Sequence, residues 1–196
     1  MHLRKKWLWL ILACAALLLA GAGYAVIAAR PPKLELDFDP AALKNVSVEV
    51  YKQERRLDLL ADGVLVDSYK IGLGGSPEGH KQREGDQKTP EGEYYICTRN
   101  QKSRYYLSLG LSYPNGSDAK AGLDAGVITQ KQYNEIETAI NEKKQPDWNT
   151  ALGGAIMIHG RGSGSDWTLG CIAVDDAVMD VLWACCGLKT PVTVYP

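Results

Sequence analysis

The sequence predicts an α+β fold in which strands dominate, preceded by one N-terminal transmembrane helix. Short segments of alternating apolar and polar residues, the period of half-buried strands, recur between residues 46 and 113 and again at the end of the chain. Helical spacing is confined to two later regions, and an uncharged apolar run fills most of the first 30 residues. Strands interrupted by a few helices, without regular strand–helix alternation, are typical of α+β proteins.

The N-terminal segment, residues 1–32, is predicted to be a cytoplasmic tip and a membrane anchor. Three basic residues at 4–6 precede a run without charge from 7 to 29. As a helix this run spans about 34 Å, enough to cross a hydrocarbon core of about 30 Å. One alternative is a cleaved signal peptide, although its apolar region is usually shorter, and another is lipid attachment at Cys14. Because the basic residues favour the cytoplasmic side, the remainder of the chain is expected to be exported.

Residues 33–196 are predicted to form one domain that does not bind nucleic acid. The chain has 22 basic and 23 acidic residues. Without the three basic residues at 4–6, 19 basic residues face 23 acidic ones, a net charge of −4. A nucleic-acid-binding surface requires an excess of basic residues. The chain has no CxxC pair and its histidines are scattered, so no metal site is predicted.

The predicted strands are separated by turn-forming residues. Asp62-Gly63 is a hairpin signal between two of them. A long loop rich in Gly, Pro and charged residues, including His80, Lys81 and Arg83, begins at Gly75. The predicted strands are 46–52, 56–61, 64–73, 93–99, 105–113, 154–160 and the closing segment 190–196.

Two regions have helical spacing. Residues 118–144 are predicted to be a helical insertion that lies over the cleft of the sheet protein, with a short helix ending at Gly126. Thr129 is the predicted N-cap of a second helix that ends near Lys143. A third helix is predicted at 175–186 and stops at Gly187.

His159 and Cys171 lie at the two ends of a loop rich in Gly and Ser, and they are the candidate base and nucleophile. A thiol close to the start of the helix at 175 is expected to have a lowered pKa. Gly170 permits a tight turn in which successive backbone N–H groups face an oxyanion. The competing interpretation is a buried structural cysteine and a hydrogen-bonded histidine. The other cysteines beyond Cys14 are predicted to be core residues, with a disulfide from Cys97 to Cys185 or Cys186 left open.

The segment "IHGRGSGSDWTLGCIAV" resembles the signature of the YkuD-type L,D-transpeptidase catalytic domain, and more closely its YafK-like branch. "GD..TPEG.Y" at 85–94, "YYLSLGLSYPN" and the closing "TPVTVYP" resemble further blocks of the same family in the same order. The resemblance extends from about Val46 to Pro196. It implies an L,D-transpeptidase-like β-sandwich, a location in the periplasm of a bacterium with an inner-membrane anchor, and peptidoglycan stem peptides as partners.

The resemblance also implies a mechanism. Cys171 attacks the carbonyl at the L-centre of diaminopimelate, and His159 is the general base. The second ring nitrogen of His159 donates to the carbonyl of Gly160, and the backbone N–H groups of Gly170 and Cys171 form the oxyanion hole. Neither a metal ion nor an organic cofactor is implied.

The candidates for substrate binding are Arg161 and Lys81 through carboxylates of the stem peptide, and Trp167 and Thr168 as walls of the donor site. Arg83 is the alternative to Lys81 as a partner of those carboxylates. For the loop that contains Lys81, an ordinary charged surface is the alternative interpretation.

Two positions depart from the family pattern. Many members have His where this chain has Leu169, and Arg or Asn where it has Ala173. The acceptor of the acyl group, an amine or water, therefore stays open. A transpeptidase is the first hypothesis, a cysteine amidase or endopeptidase of the same fold is the second, and a catalytically weak peptidoglycan-binding module is the third.

Overall fold

The computed structural model describes residues 33–196. Within that range no helix combines the length and the apolar character needed to cross a membrane. The predicted anchor at 1–32 lies outside the described residues. A 3-10 helix at Pro40–Ala42 precedes eleven elements: β1 (Val46–Tyr51), β2 (Arg56–Ala61), β3 (Val64–Lys70), β4 (Gly92–Ser103), β5 (Tyr106–Leu111), α1 (Gly116–Asp124), α2 (Gln130–Asn141), β6 (Met157–His159), β7 (Ile172–Ala173), α3 (Asp176–Cys185) and β8 (Pro191–Tyr195).

The eight strands form one sheet in the order β3-β2-β1-β8-β4-β5-β6-β7. The long strand β4 connects the two halves of this sheet, since residues 92–95 pair with β8 and residues 96–103 pair with β5. Val50 of β1, Leu109 of β5 and Met179 of α3 belong to the same buried cluster. Two halves of a sheet can share one core only if the sheet curls. The structure thus confirms the β-dominated α+β fold and replaces the predicted β-sandwich by one continuous curled sheet.

Local sequence signals explain most of the strand boundaries. The hairpin signal is confirmed, because Asp62 and Gly63 both have positive φ, 50° and 76°, as the favoured two-residue hairpin turn requires. In β1 the buried Val48 and Val50 alternate with half-buried residues, and Val192 and Val194 repeat this pattern in β8. The two-residue strand β7 was not predicted from the sequence, since a segment so short has no period.

Both predicted helices of the 118–144 region are present. Asn115 caps α1 and Thr129 caps α2, each in a capping box with the residue three positions later. Ile128, Ile136 and Leu152 form a small core of their own with Ala119. This helical hairpin therefore packs on a separate apolar cluster and not on the main core of the sheet.

Candidate active site

His159 is the last residue of β6, and its side chain is buried, with 2% of its surface exposed. Its Nδ1 lies 2.7 Å from the carbonyl oxygen of Gly160. In the tautomer in which Nδ1–H donates to that carbonyl, Nε2 has a free lone pair and can accept a proton. Burial lowers the pKa of His159, and the bond to Gly160 opposes this shift only in part. The imidazole is therefore held neutral, as a general base must be.

Cys171 immediately precedes β7 and is partly buried. Its Sγ accepts a hydrogen bond from the Met157 N–H at 3.4 Å and lies 3.7 Å from the Ala155 carbonyl oxygen. Burial raises the pKa of Cys171, while the Met157 N–H and the charge of Lys81 partly oppose the rise. The thiol is thus in its protonated form at neutral pH.

This environment corrects the expectation of a thiol activated by a helix. Helix α3 begins at Asp176, and strand β7 lies between it and Cys171. The dipole of a helix acts only within its first turn, so its effect does not reach the thiol. Desolvation dominates and shifts the pKa upward.

The pairing of β6 with β7 brings the thiol and the imidazole to one face. His159 pairs with Ala173 in a parallel register, and Cys171 is two residues before Ala173. Residues two apart in an extended chain share a face of the sheet. Among residues 33–196 no hydrogen bond joins the Cys171 thiol to the imidazole, since the thiol contacts Ala155 and Met157 in this conformation.

The turn before Cys171 is fixed by Thr168. Thr168 Oγ1 accepts the Gly170 N–H at 3.1 Å and donates to the Cys171 carbonyl at 2.7 Å. Thr168 is 5% exposed and holds the loop, and its role as a wall of the donor site stays a prediction. The Gly170 N–H is engaged in this turn, whereas the Cys171 N–H has no hydrogen-bond partner among the described residues. Of the two predicted oxyanion donors, only Cys171 has an N–H group that is free.

Gly170 itself is required by its geometry. Its φ is 130°, and a Cβ placed there would lie 2.7 Å from the carbonyl oxygen of Lys88. The nucleophile loop and the long loop that contains Lys88 therefore approach each other backbone to backbone, which only glycine permits.

Two aromatic rings enclose the imidazole of His159. Tyr105 stacks on it with ring centroids 4.7 Å apart, and Trp167 meets it edge-on at 5.5 Å. Trp167 also donates from Nε1 to the carbonyl of Gly162 and is 38% exposed. Trp167 thus lies beside the candidate base His159, and its role as a wall of the donor site stays a prediction. Tyr105 was missed, because it lies in the turn between β4 and β5 and no sequence pattern connects it to His159.

The two predicted carboxylate-binding cations already have acidic partners. The Arg161 guanidinium lies 3.5 Å from Asp176, whose carboxylate also accepts the Arg161 N–H. Lys81 is 2% exposed, and its Nζ donates to Asp86 and to the carbonyl of Arg83, both at 2.9 Å. Lys81 thus organises its own loop, and its contact with substrate carboxylates stays a prediction.

The other cysteines of residues 33–196 are free thiols, and the disulfide left open for Cys97 is not formed. Burial raises the pKa of Cys97 and of Cys186 to about 12 each, and that of Cys185 to about 11. These thiols are therefore protonated and unreactive, which makes them suitable controls for Cys171.

Arg55 and Asp166 form a brace that connects the β1–β2 turn to the loop containing Trp167. The guanidinium donates to both carboxylate oxygens at 2.7–3.0 Å, and the Leu73 N–H donates to the same carboxylate at 2.9 Å. Burial favours the neutral acid, but the bonds from Arg55 and Leu73 outweigh it and hold the pKa of Asp166 below 3.8. Asp166 thereby positions its neighbour Trp167 against the imidazole of His159.

Replacing Asp166 with asparagine is expected to lower the free energy of unfolding by about 1–2 kcal/mol, because both partners are partly buried and the bonds are charge-assisted. Because folding lowers the pKa of Asp166, the stabilisation is present at neutral pH and is lost as the pH falls through that pKa. Urea unfolding at pH 7 and pH 3 measures both effects. Asp124→Asn, in the exposed pair with Lys120, is the matched control and should cost less than about 0.5 kcal/mol. Equal losses for the two variants would contradict the brace.

The comparisons with known proteins show the family of the chain. A family model described as the L,D-transpeptidase catalytic domain, YkuD, matches residues 45–194. The putative L,D-transpeptidase YafK of Escherichia coli K12 is 41% identical over 86 residues, covering 40% of this chain and 35% of that protein. The matched region spans about a third of the length of this curated relative.

Solved structures show the same fold. The crystal structure of the helical cell shape determining protein Pgp2 from Campylobacter jejuni is 25% identical with a TM-score of 0.52, covering 76% of this chain and 46% of Pgp2. Bdellovibrio bacteriovorus Bd1075 is 20% identical with a TM-score of 0.52, covering 79% of this chain and 49% of Bd1075. The family model spans most of the chain, from residue 45 to residue 194, and the chain therefore belongs to the YkuD family of L,D-transpeptidase catalytic domains.

Proposed function

We propose that this protein is a cysteine acyltransferase that acts on peptidoglycan stem peptides at the L-centre of diaminopimelate. One observation carries the proposal: adjacent strands place a neutral imidazole and a thiol on the same face, with a free backbone N–H at the thiol residue. A nucleophile, a base and an oxyanion donor are the three requirements of acyl transfer. The membership of the family supports the choice of substrate.

In the first half-reaction, His159 Nε2 accepts the thiol proton as Cys171 Sγ attacks the carbonyl carbon of the L-centre. The Cys171 N–H donates to the oxyanion of the tetrahedral intermediate. Collapse of the intermediate breaks the peptide bond, and the protonated imidazole returns its proton to the departing amine of D-alanine. A thioester to Cys171 and a neutral His159 remain. The residues supply every proton transfer of this step, so it needs no metal ion or cofactor.

In the second half-reaction, an amine of a neighbouring stem peptide, or water, attacks the thioester and releases Cys171. An amine acceptor makes a cross-link or exchanges the terminal residue, and water makes the enzyme a hydrolase. Two observations favour water as the alternative acceptor. Leu169, two residues before the nucleophile, is 76% exposed, and Ala173 is fully buried and exchanges two backbone hydrogen bonds with Gly72. Neither position offers a polar group that would hold the carboxylate of an acceptor peptide.

The experiment uses the purified full-length protein with sacculi and with defined tetrapeptide muropeptides, analysed by mass spectrometry. New cross-links, or exchange of the terminal D-residue for an added D-amino acid, would support the transpeptidase. Shortened or released peptides that are absent with Cys171→Ala would identify an amidase or endopeptidase. If neither substrate gives a product that depends on Cys171, the acyltransferase proposal fails and a peptidoglycan-binding module remains.

Residues 1–32 are proposed to anchor the catalytic domain to the inner membrane with the domain in the periplasm. The basic residues at 4–6 before the uncharged run at 7–29 support this orientation. The full-length protein should remain with membranes after washing with alkaline carbonate, and its domain should be digested by protease added to spheroplasts. Release of a shortened chain would indicate cleavage of a signal peptide, and protection from protease would contradict the orientation.

A further inference from the structure

A cavity of about 400 Å³ lies between the long loop and helix α1, outside the catalytic pair. Arg83 and Lys88 line it from the loop, Ala121 and Gly122 line it from α1, and Leu152 lines it from the segment between α2 and β6. The volume lies in the range of small-ligand sites, about 300–1,000 Å³. None of the residues assigned to the catalytic pair or its oxyanion donor lines this cavity.

Although the loop wall of this cavity has no regular secondary structure, buried lysines and one carboxylate hold it in place. Lys52 Nζ donates to the carbonyls of Gly79 and Thr89 and pairs with Glu91 at 2.7 Å. Asp86 accepts bonds from Lys81 and from the backbone N–H groups of residues 82, 83 and 88. Burial alone would raise the pKa of Asp86, but these bonds lower it to about 2. The wall is thus organised before any ligand binds.

The loop is also tied to the helical hairpin. His80 accepts the Glu91 N–H at Nδ1, and its Nε2 lies 2.9 Å from the carboxylate of Asp118 on α1. Asp118 in turn accepts bonds from Tyr94 and from the Asn115 N–H. The two walls of the cavity are therefore held at a fixed distance from each other.

The charged side chains that line the cavity do not all have a partner of opposite charge. Lys81 pairs with Asp86 at 2.9 Å, and Asp118 is engaged by His80. Arg83 and Lys88 form no ion pair among residues 33–196, and Lys88 Nζ contacts only the carbonyl of Glu78 there. Two cations without acidic partners, beside a pre-organised cavity, favour an anionic ligand, and a guanidinium is suited to the two oxygens of a carboxylate.

Two backbone segments bring the lining of the cavity close to Cys171. The Lys88 carbonyl faces Gly170, the residue before Cys171. Leu152 lies three residues before Ala155, whose carbonyl contacts the thiol sulfur, and three residues of extended chain span at most about 10 Å. The cavity is therefore close enough to the thiol for a peptide whose carbonyl carbon lies at the thiol to reach it.

We infer that this cavity binds a carboxylate-bearing arm of the peptide substrate, with Arg83 and Lys88 as the carboxylate ligands. On the helical side the wall is closely packed, since a Cβ on Gly122 would lie 2.7 Å from the Leu152 side chain. The helical hairpin, which contributes little to the main core, thus acts as one wall of a specificity site. This inference rests on the proposed function, because that function supplies the peptide substrate.

The test measures binding separately from catalysis. Full-length protein with Cys171→Ala is titrated calorimetrically with L-alanyl-γ-D-glutamyl-diaminopimelyl-D-alanine as the free acid and with its carboxyl groups amidated. Arg83→Ala is expected to weaken binding of the free acid about tenfold, the loss of one charge-assisted bond, and to leave the amidated peptide unchanged. Arg83→Lys should retain part of the affinity. Lys131→Ala, an exposed cation on α2, is the matched control and should change neither affinity by more than about twofold.

A second variant fills the cavity without removing charge. Ala121→Leu is expected to weaken both peptides tenfold or more, since leucine is tolerated in a helix but occupies the space of the ligand. Lys120→Leu, on the same helix but outside the cavity lining, is its control. Thermal unfolding of each variant verifies that it is folded.

The outcomes separate the two proposals. If the peptide binds but neither Arg83→Ala nor Ala121→Leu changes its affinity beyond the controls, the cavity inference is overturned while the acyltransferase proposal stands. If both variants weaken binding as expected but the protein with Cys171 intact gives no product, the cavity stands and the catalytic proposal fails. If the free acid does not bind at all, the inference is overturned together with its choice of substrate.

Discussion

Replacing Cys171 with alanine is expected to lower product formation from peptidoglycan peptides by at least about a thousandfold, because the covalent acyl-enzyme can no longer form. The fold should not change, since the side chain is partly buried and only one sulfur atom is removed. Mass-spectrometric product assays with matched protein concentrations measure the effect. The intact mass of the wild-type protein after brief exposure to substrate should also show an adduct that Cys171→Ala lacks.

Cys185→Ala is the control for this prediction. Cys185 is a half-buried thiol on α3 whose pKa burial raises to about 11, and nothing in the proposed mechanism uses it. It should keep most of the wild-type rate. Retention of a substantial rate by Cys171→Ala would remove the thiol from the mechanism, and equal losses for the two variants would point to a defect in folding.

Replacing His159 with glutamine is expected to lower the rate by about 10²–10⁴-fold, the usual contribution of a positioned general base. Glutamine fills similar space and can still donate to the Gly160 carbonyl, but it does not accept the thiol proton. Because Cys171 is protonated at neutral pH, proton removal by His159 and thiol attack occur in the same step. The variant should therefore lose activity while its free energy of unfolding changes little.

The pH dependence provides an independent measurement of the same role. Burial lowers the pKa of His159 from its ordinary value of 6.5, so the neutral base persists below that pH. The rate is expected to fall as the pH falls through this lowered pKa, with the midpoint of the acidic limb below 6.5. His159→Gln should lack this limb. A midpoint above 6.5, or an unchanged limb in the variant, would contradict the assignment of His159 as the neutral base.

Most of the fold followed from local sequence patterns. Strand periods located β1, β2 and β8 to within a residue or two, and capping residues such as Thr129 located the helices of the insertion. These signals are legible because alternation and capping depend on residues close together in the chain. The order of the strands and the curl of the sheet are long-range properties, and no local pattern determines them.

The site was predictable in part. The contact between His159 Nδ1 and the Gly160 carbonyl joins neighbouring residues, and it is present as the resemblance implied. The environment of Cys171 was not predictable, because the proximity of α3 in sequence suggested a helix dipole where the fold instead buries the thiol. The contact of Tyr105 with His159 and the brace from Arg55 to Asp166 were not predicted from the sequence, because the partners lie 54 and 111 residues apart.

The sequence by itself determined most elements of the fold, His159 and Cys171 as the candidate pair, and the family to which the chain belongs. Only the tertiary structure decided the electrostatic character of each group: a neutral buried imidazole, a protonated thiol, a Lys81 engaged by Asp86, and an Arg83 without an acidic partner. The physical reason is that pKa values and free charges depend on desolvation and on groups distant in the chain, which folding alone brings together.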